Sequence, residues 1–161
     1  MLFAINYSFP AAALVTEQRI QVDRFKCPDW PWMISAASCL CPVAVHFDLT
    51  VGDGSVKEID WDTALRLLET TSTPYLNFHL EARRRDFPEI PLDTVDEHHF
   101  NQVYDQVAED VQFVLKHIEA SRVILENVPY RGLPGKVLRP SVEPSLIRKI
   151  LEETGCGLLF D

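Results

Sequence analysis

From Ser121 to Asp161 the chain reads SRVILENVPYRGLPGKVLRPSVEPSLIRKILEETGCGLLFD. Val123–Asn127 is a short apolar run that turns polar at Glu126 and Asn127. A loop with Gly132, Pro134, Gly135 and Pro140 separates it from a helix expected over Pro144–Thr154. Gly155 suits the left-handed position just past that helix. A second apolar run, Cys156–Phe160, then leads to Asp161. Strand, crossover helix and strand in this order imply parallel pairing, because parallel neighbours cannot be joined by a tight turn.

The same alternation extends back to the start. Leu2–Tyr7 reads as a strand and Pro10–Glu17 as a helix. Ile20–Lys26 follows as a strand, with Ile20, Val22 and Phe25 apolar. A helix is expected over Trp30–Ser38, with Asp29 as its cap and Pro31 in its first turn, where a missing N–H is harmless. Pro42–Leu49 reads as a buried strand, and Gly52-Asp53-Gly54 breaks the chain. Asp60 caps a helix over Trp61–Thr70, whose stripe is Ala64, Leu65, Leu67 and Leu68. Tyr75–His79 is the fourth strand.

The longest helix is expected over Val95–Ala120, with Thr94 and Glu97 at capping-box spacing. Its apolar face is Phe100, Val103, Val107, Val111, Val114, Leu115 and Ile118. These elements make six parallel strands and five helices in a single α/β domain over residues 1–161. The strand runs are apolar on both faces, as when helices cover a sheet. No Gly-rich phosphate loop follows a strand, which argues against a dinucleotide fold. An open doubly wound sheet and part of a (β/α)8 barrel are the two architectures left, and a full barrel needs eight units.

Of the 161 residues 47% are hydrophobic, enough for one globular core. No run approaches the roughly 20 apolar residues of a membrane span. The start lacks a basic segment before an apolar one, which favours the cytoplasm. The formal net charge of −9 disfavours an extended nucleic-acid surface. Arg83-Arg84-Arg85 is the only basic run and reads as a solvated loop. Cys39 and Cys41 have no second pair to mirror them. With Cys27 and Cys156 they read as reduced, partly buried thiols rather than a zinc site.

Polar residues sit where strands end: Asn6, Lys26, His46, His79, Glu126 and Asp161. In a parallel architecture these ends emerge on one face, where such enzymes place catalysis. Neutral imidazole with carboxylate suits zinc, iron, manganese or cobalt. An ion so held polarises a carbonyl or activates a water. Glu126 also suits a base beside the ion. An acid directly after Val123, Ile124 and Leu125 is costly unless paired or bound to metal. Lys26 suits a substrate contact or a structural ion pair. His98 and His99 read as surface residues, and Trp30 and Trp32 as packing residues.

Leu76-Asn77-Phe78-His79, Leu125-Glu126-Asn127 and Gly157-Leu158-Leu159-Phe160-Asp161, taken in order, resemble the xylose-isomerase-like TIM-barrel superfamily. That group holds sugar and sugar-phosphate isomerases and epimerases together with the apurinic-site endonucleases. Val45-His46-Phe47 resembles its third-strand histidine. Asn6-Tyr7-Ser8 and the stretch Asp23–Pro31 resemble a subgroup of sugar-isomerase-like proteins. The resemblance implies a partial (β/α)8 barrel lacking its last two βα units, with a divalent ion (Mn, Zn, Fe or Co) held by His46, His79, Glu126 and Asp161. It also implies Glu126 and His79 as catalytic residues, and Asn6, Lys26 and His46 as contacts to a carbohydrate-like substrate.

Three functions follow as expectations. The first is a metal-dependent isomerase or epimerase on a sugar or sugar phosphate. The second is a metal-dependent phosphoesterase or endonuclease-like hydrolase. Leu80-Glu81 stands where the endonucleases have Pro-Gly, which weakens that reading, as does the acidic charge. The third is an inactive fragment that needs its missing C-terminal part or a partner chain. Open sheet edges would then invite self-association.

Overall fold

The computed structural model describes residues 2–130 and 136–160. The expected loop residues Gly132, Pro134 and Gly135 and the candidate ligand Asp161 lie outside the described residues. The chain is α/β with parallel sheets and falls into two compact units. One comprises the residues up to Asp48 together with Asp60–Leu76, and the other Leu49–Ile59 together with the chain from Asn77 onward.

The first unit carries a three-stranded parallel sheet in the order β1 (Ala4–Asn6), β2 (Arg24–Cys27), β3 (Val43–Val45). Phe25 pairs with Ile5 on one side and Val43 on the other, and Lys26 with Asn6 and Ala44. Strand side chains alternate between faces. Phe25, Cys27, Val43 and Val45 are accordingly buried, whereas Arg24, Lys26 and Ala44 are only half-buried. Its helices are α1 (Phe9–Thr16), α2 (Pro31–Ser38) and α3 (Trp61–Thr70).

Ser8 caps α1 and Asp60 caps α3, the latter accepting the Thr63 N–H at 3.1 Å. The cap expected of Asp29 is not made. Trp30 occupies the N-cap position of α2 without a side-chain bond, and Pro31 follows it, one donor fewer to satisfy. Trp30 and Trp32 do not enter the core either. They are 52% and 53% exposed and stack on one another, with Trp32 also stacked on Phe9, at centroid separations of 6.0 and 6.5 Å.

The second unit carries a four-stranded parallel sheet in the order β4 (Thr50–Val51), β5 (Leu76–Leu80), β6 (Val123–Asn127), β7 (Gly157–Leu159). Its helices are α4 (Glu97–Val114), α5 (Arg139–Val142) and α6 (Pro144–Thr154). Val103, Val107, Val111 and Val114 of α4 are fully buried, as their spacing predicts, with Phe78, Leu125, Leu146 and Ile150 also in the core. Gly155 takes the left-handed conformation at the end of α6, with φ +73°.

Several boundaries differ from the sequence reading: the first strand is Ala4–Asn6 rather than Leu2–Tyr7, the second starts at Arg24 rather than Ile20, and the long helix ends at Val114 rather than Ala120. The expected third strand, Pro42–Leu49, yields only Val43–Val45, and a further two-residue strand appears at Thr50–Val51, so the described residues hold seven strands. The long helix begins at Glu97, because Asp96 caps it in place of Thr94: its Oδ1 accepts the N–H groups of His98 and His99 at 2.8 and 3.2 Å. Thr94 Oγ1 is instead bonded to His99 Nδ1 at 2.9 Å. Finally, the stretch expected to be loop before α6 contains the short helix α5. Among the described residues no helix is long and apolar enough to cross a membrane.

Candidate metal centre

β5 and β6 are neighbours in the second sheet. Leu76, Phe78 and Leu80 of β5 point to one buried face, and Asn77 and His79 to the other. In β6, Val123 and Leu125 are buried, and Ile124 and Glu126 lie on the opposite face. Each strand therefore carries its apolar residues and its site residue on alternate positions. β4 fixes the register of β5: Thr50 pairs with His79, and the His79 N–H donates to the Leu49 carbonyl at 2.8 Å.

That arrangement brings His79 and Glu126 together. His79 Nε2 lies 3.7 Å from Glu126 Oε2, with the side chains 23% and 9% exposed. Two ligands of one transition-metal ion, each about 2.1 Å from it, stand about 3–3.5 Å apart. Imidazole and carboxylate at this separation can therefore both reach one divalent ion with small adjustment. A carboxylate this deeply placed at the end of an apolar strand is costly unless it is paired, hydrogen-bonded or bound to a cation.

The other expected site residues lie in the first unit or outside the described residues. Asn6 and Lys26 are paired across β1 and β2, so their side chains share one face of that sheet. Asn6 is exposed and Lys26 half-buried. His46 directly follows β3, and its N–H donates to the Cys27 carbonyl at 2.7 Å, extending the ladder by one residue. By alternation from Ala44, His46 falls on the face of Asn6 and Lys26. Asp161 is not among the described residues.

Sequence reasoning missed a polar cluster just beyond β5. Glu81 is buried and takes Arg83 in a two-pronged pair, at 2.8 Å from Nε and 2.9 Å from Nη2. Arg85 reaches Asp53 at 3.3 Å and Asp86 at 3.1 Å, and Arg84 Nε donates to the Pro88 carbonyl at 3.1 Å. The arginine run is thus tied into its surroundings rather than left as a purely solvated loop. The signal was there in the Glu81-x-Arg83 spacing, which at the end of a strand puts both side chains on one face.

The cysteines are free thiols, and burial pushes Cys27 up to about 11 and raises Cys156 as well. Both are held protonated at neutral pH. No protein-family model matches the chain, and no curated protein matches it.

Proposed function

We propose that this α/β chain is part of a (β/α)8-type barrel and acts as a metal-dependent isomerase or epimerase on a carbohydrate-like substrate. The observation that carries the reading is the pairing of His79 with Glu126, 3.7 Å apart at the ends of neighbouring parallel strands. Strand ends of one polarity are where such folds gather catalytic side chains. The family resemblance supports the rest: His46 and Asp161 as further ligands, and Asn6 and Lys26 as contacts to substrate hydroxyls.

A divalent ion of the manganese, zinc, iron or cobalt type, when bound, supplies polarisation of a substrate carbonyl or hydroxyl. His79 offers one ring nitrogen, its place set by the strand that carries it. Glu126 has two oxygens, so it can serve the ion with one and take up a proton from a substrate carbon with the other. Glu126 is buried and stands opposite Leu159 of β7, which limits water around that carboxylate and so sharpens its response to a nearby cation.

The test is metal titration of the purified chain with Mn²⁺, Co²⁺, Zn²⁺ and Fe²⁺ by calorimetry, with visible absorption as a second readout for Co²⁺. One equivalent bound, and lost in Glu126→Ala and His79→Ala, is the expected result. Incubating the loaded protein with a panel of aldoses, ketoses and their phosphates in D₂O should then incorporate deuterium next to the carbonyl. Failure of all four ions to bind refutes the reading.

A further inference from the structure

The segments beyond β5 and β6 meet in a short antiparallel ladder. Arg83 stands opposite Val137, the Arg84 N–H donates to the Lys136 carbonyl at 2.9 Å, and the Leu138 N–H donates to the Ala82 carbonyl at 2.8 Å. Ala82, Val137 and Leu138 are buried, so the ladder is anchored in its unit. It continues from the ends of the two strands that carry His79 and Glu126.

Its charges are not balanced. Arg83 is neutralised by Glu81, and Arg85 by Asp53 and Asp86. Arg84 and Lys136 face each other across the ladder, and among the described residues neither is held in an ion pair. Arg84 commits only Nε, to the Pro88 carbonyl, which leaves both terminal NH₂ groups. In sequence, the five residues before Lys136 read Arg-Gly-Leu-Pro-Gly, with no acid among them. Like charges directly opposite in a ladder destabilise it. Lys136 also holds a left-handed backbone, φ +56°, which residues with a side chain rarely adopt. Uncompensated cations at a constrained backbone position, in a chain of net charge −9, point to an anionic ligand.

We propose that Arg84 and Lys136 bind the phosphate of a phosphorylated carbohydrate, which makes a sugar phosphate rather than a free sugar the substrate class of this chain. The inference rests on the isomerase or epimerase reading above. A guanidinium offers two parallel N–H groups to two phosphate oxygens, and an ammonium adds a point charge. Two cations match a phosphate monoester, a dianion above its second pKa of about 6. They match less well the single charge that each phosphate of a nucleic-acid backbone carries. Because the ladder extends the strand ends, a phosphate held there keeps the sugar on the face of His79 and Glu126.

The test uses the full chain stripped of metal, so that phosphate cannot be held through an ion, at a constant ionic strength of about 0.1 M. A pentitol phosphate, which has no carbonyl to react, is titrated by calorimetry beside the plain pentitol and inorganic phosphate. The phosphorylated form should bind at least about tenfold more tightly than the plain one, and inorganic phosphate should compete with it. Binding should weaken as pH falls through about 6 and the dianion takes up a proton. Arg84→Gln and Lys136→Gly should each weaken it at least about tenfold, whereas Lys136→Arg should retain it. Glycine suits the left-handed backbone at 136, so that variant removes the charge without straining the fold. Equal affinity for the two pentitols overturns the proposal, as does binding indifferent to both charge-removing variants. A single-stranded oligonucleotide that binds more tightly than the pentitol phosphate overturns it in favour of a nucleic-acid backbone. Deuterium incorporation into free sugars by the metal-loaded chain, with no pentitol phosphate bound, sinks this inference and leaves the reaction in place. Phosphate binding that needs both cations, with no deuterium incorporated into any sugar phosphate, does the reverse.

Discussion

Asp110 offers the sharpest test of how the second unit is held. It lies in α4 with no exposed surface, and its Oδ2 accepts the N–H groups of Gly52 and Gly54 at 2.7 and 2.9 Å. Its Oδ1 accepts from Gln106 Nε2 at 2.9 Å. The carboxylate therefore fastens the turn that follows β4, and β4 in turn pairs with β5 at His79. Gly52 cannot be relaxed by another route. Its φ is +109°, and a Cβ there would lie 3.1 Å from the Glu81 carbonyl oxygen and 3.1 Å from Val107 Cγ2.

Asp110→Ala removes the acceptor for one buried and one half-buried backbone donor. Each stranded buried donor costs about 1–3 kcal/mol and the half-buried one toward the lower end, so a loss of about 2–4 kcal/mol is expected. That is a large part of a typical domain stability of about 5–15 kcal/mol. Asp110→Asn should behave differently. Its remaining oxygen can accept both glycine N–H groups, while Gln106 turns its amide to accept from the new NH₂. The loss should then stay below about 1 kcal/mol.

The pH dependence separates the two further. Burial, the largest influence, raises the Asp110 carboxyl above the ordinary 3.8, although its three hydrogen bonds pull the other way. An acid whose folded-state value is raised stabilises the fold fully below 3.8, and this contribution is lost as pH rises through the folded-state value. The stability of wild type relative to Asp110→Asn should therefore fall with rising pH across that window. Urea unfolding of the three proteins at several pH values measures all of this. An alanine variant that loses less than about 1 kcal/mol, or a wild-type advantage that grows with pH, would refute the reasoning.

Further outcomes follow from other sites. Gly52→Ala should destabilise by more than about 1 kcal/mol in the same assay, because it combines a positive φ with a close backbone contact. His79→Ala and Glu126→Gln should each lower Co²⁺ affinity at least about 100-fold by calorimetry while leaving the circular dichroism spectrum unchanged. Cys27, with its thiol pushed up to about 11, should be only about 0.1% thiolate at pH 8 and resist a disulfide reagent that labels exposed Cys39. Comparable labelling of the two under native conditions would contradict its burial.

Much of the strand-and-helix order is legible because it rests on local pattern. The valine ladder of α4, the Asp60 cap and the left-handed Gly155 are each fixed by residues within one or two turns. What the pattern leaves open depends on partners distant in the chain. Val45 ends β3 with its N–H donating to Thr73 Oγ1 at 2.8 Å, a contact 28 residues away that no periodicity announces. Asp110 is buried in α4 because Gly52 and Gly54, 58 and 56 residues earlier, supply its donors. The Asp96 cap is a nearer contest. Thr94 and Glu97 fit the capping-box spacing, but Asp96 directly precedes the helix and takes two N–H groups at once.

The candidate centre divides along the same line. His79 and Glu126 stand out in sequence because each interrupts an apolar run where a strand must stop, and period-two alternation then fixes the face each side chain uses. Their separation is not in the sequence. It follows from β5 and β6 lying side by side, and from Thr50 setting the register of His79 through a two-residue strand too short for hydrophobic pattern to reveal. That short strand is in turn followed by the glycine turn that Asp110 holds. A substitution at Asp110 should therefore be felt at His79 although the two are distant in sequence. If Asp110→Ala lowers Co²⁺ affinity and Asp110→Asn leaves it intact, the path runs through the turn and β4. Equal effects of both variants on metal binding would mean that the carboxylate's charge, rather than its grip on the glycines, is what the centre senses.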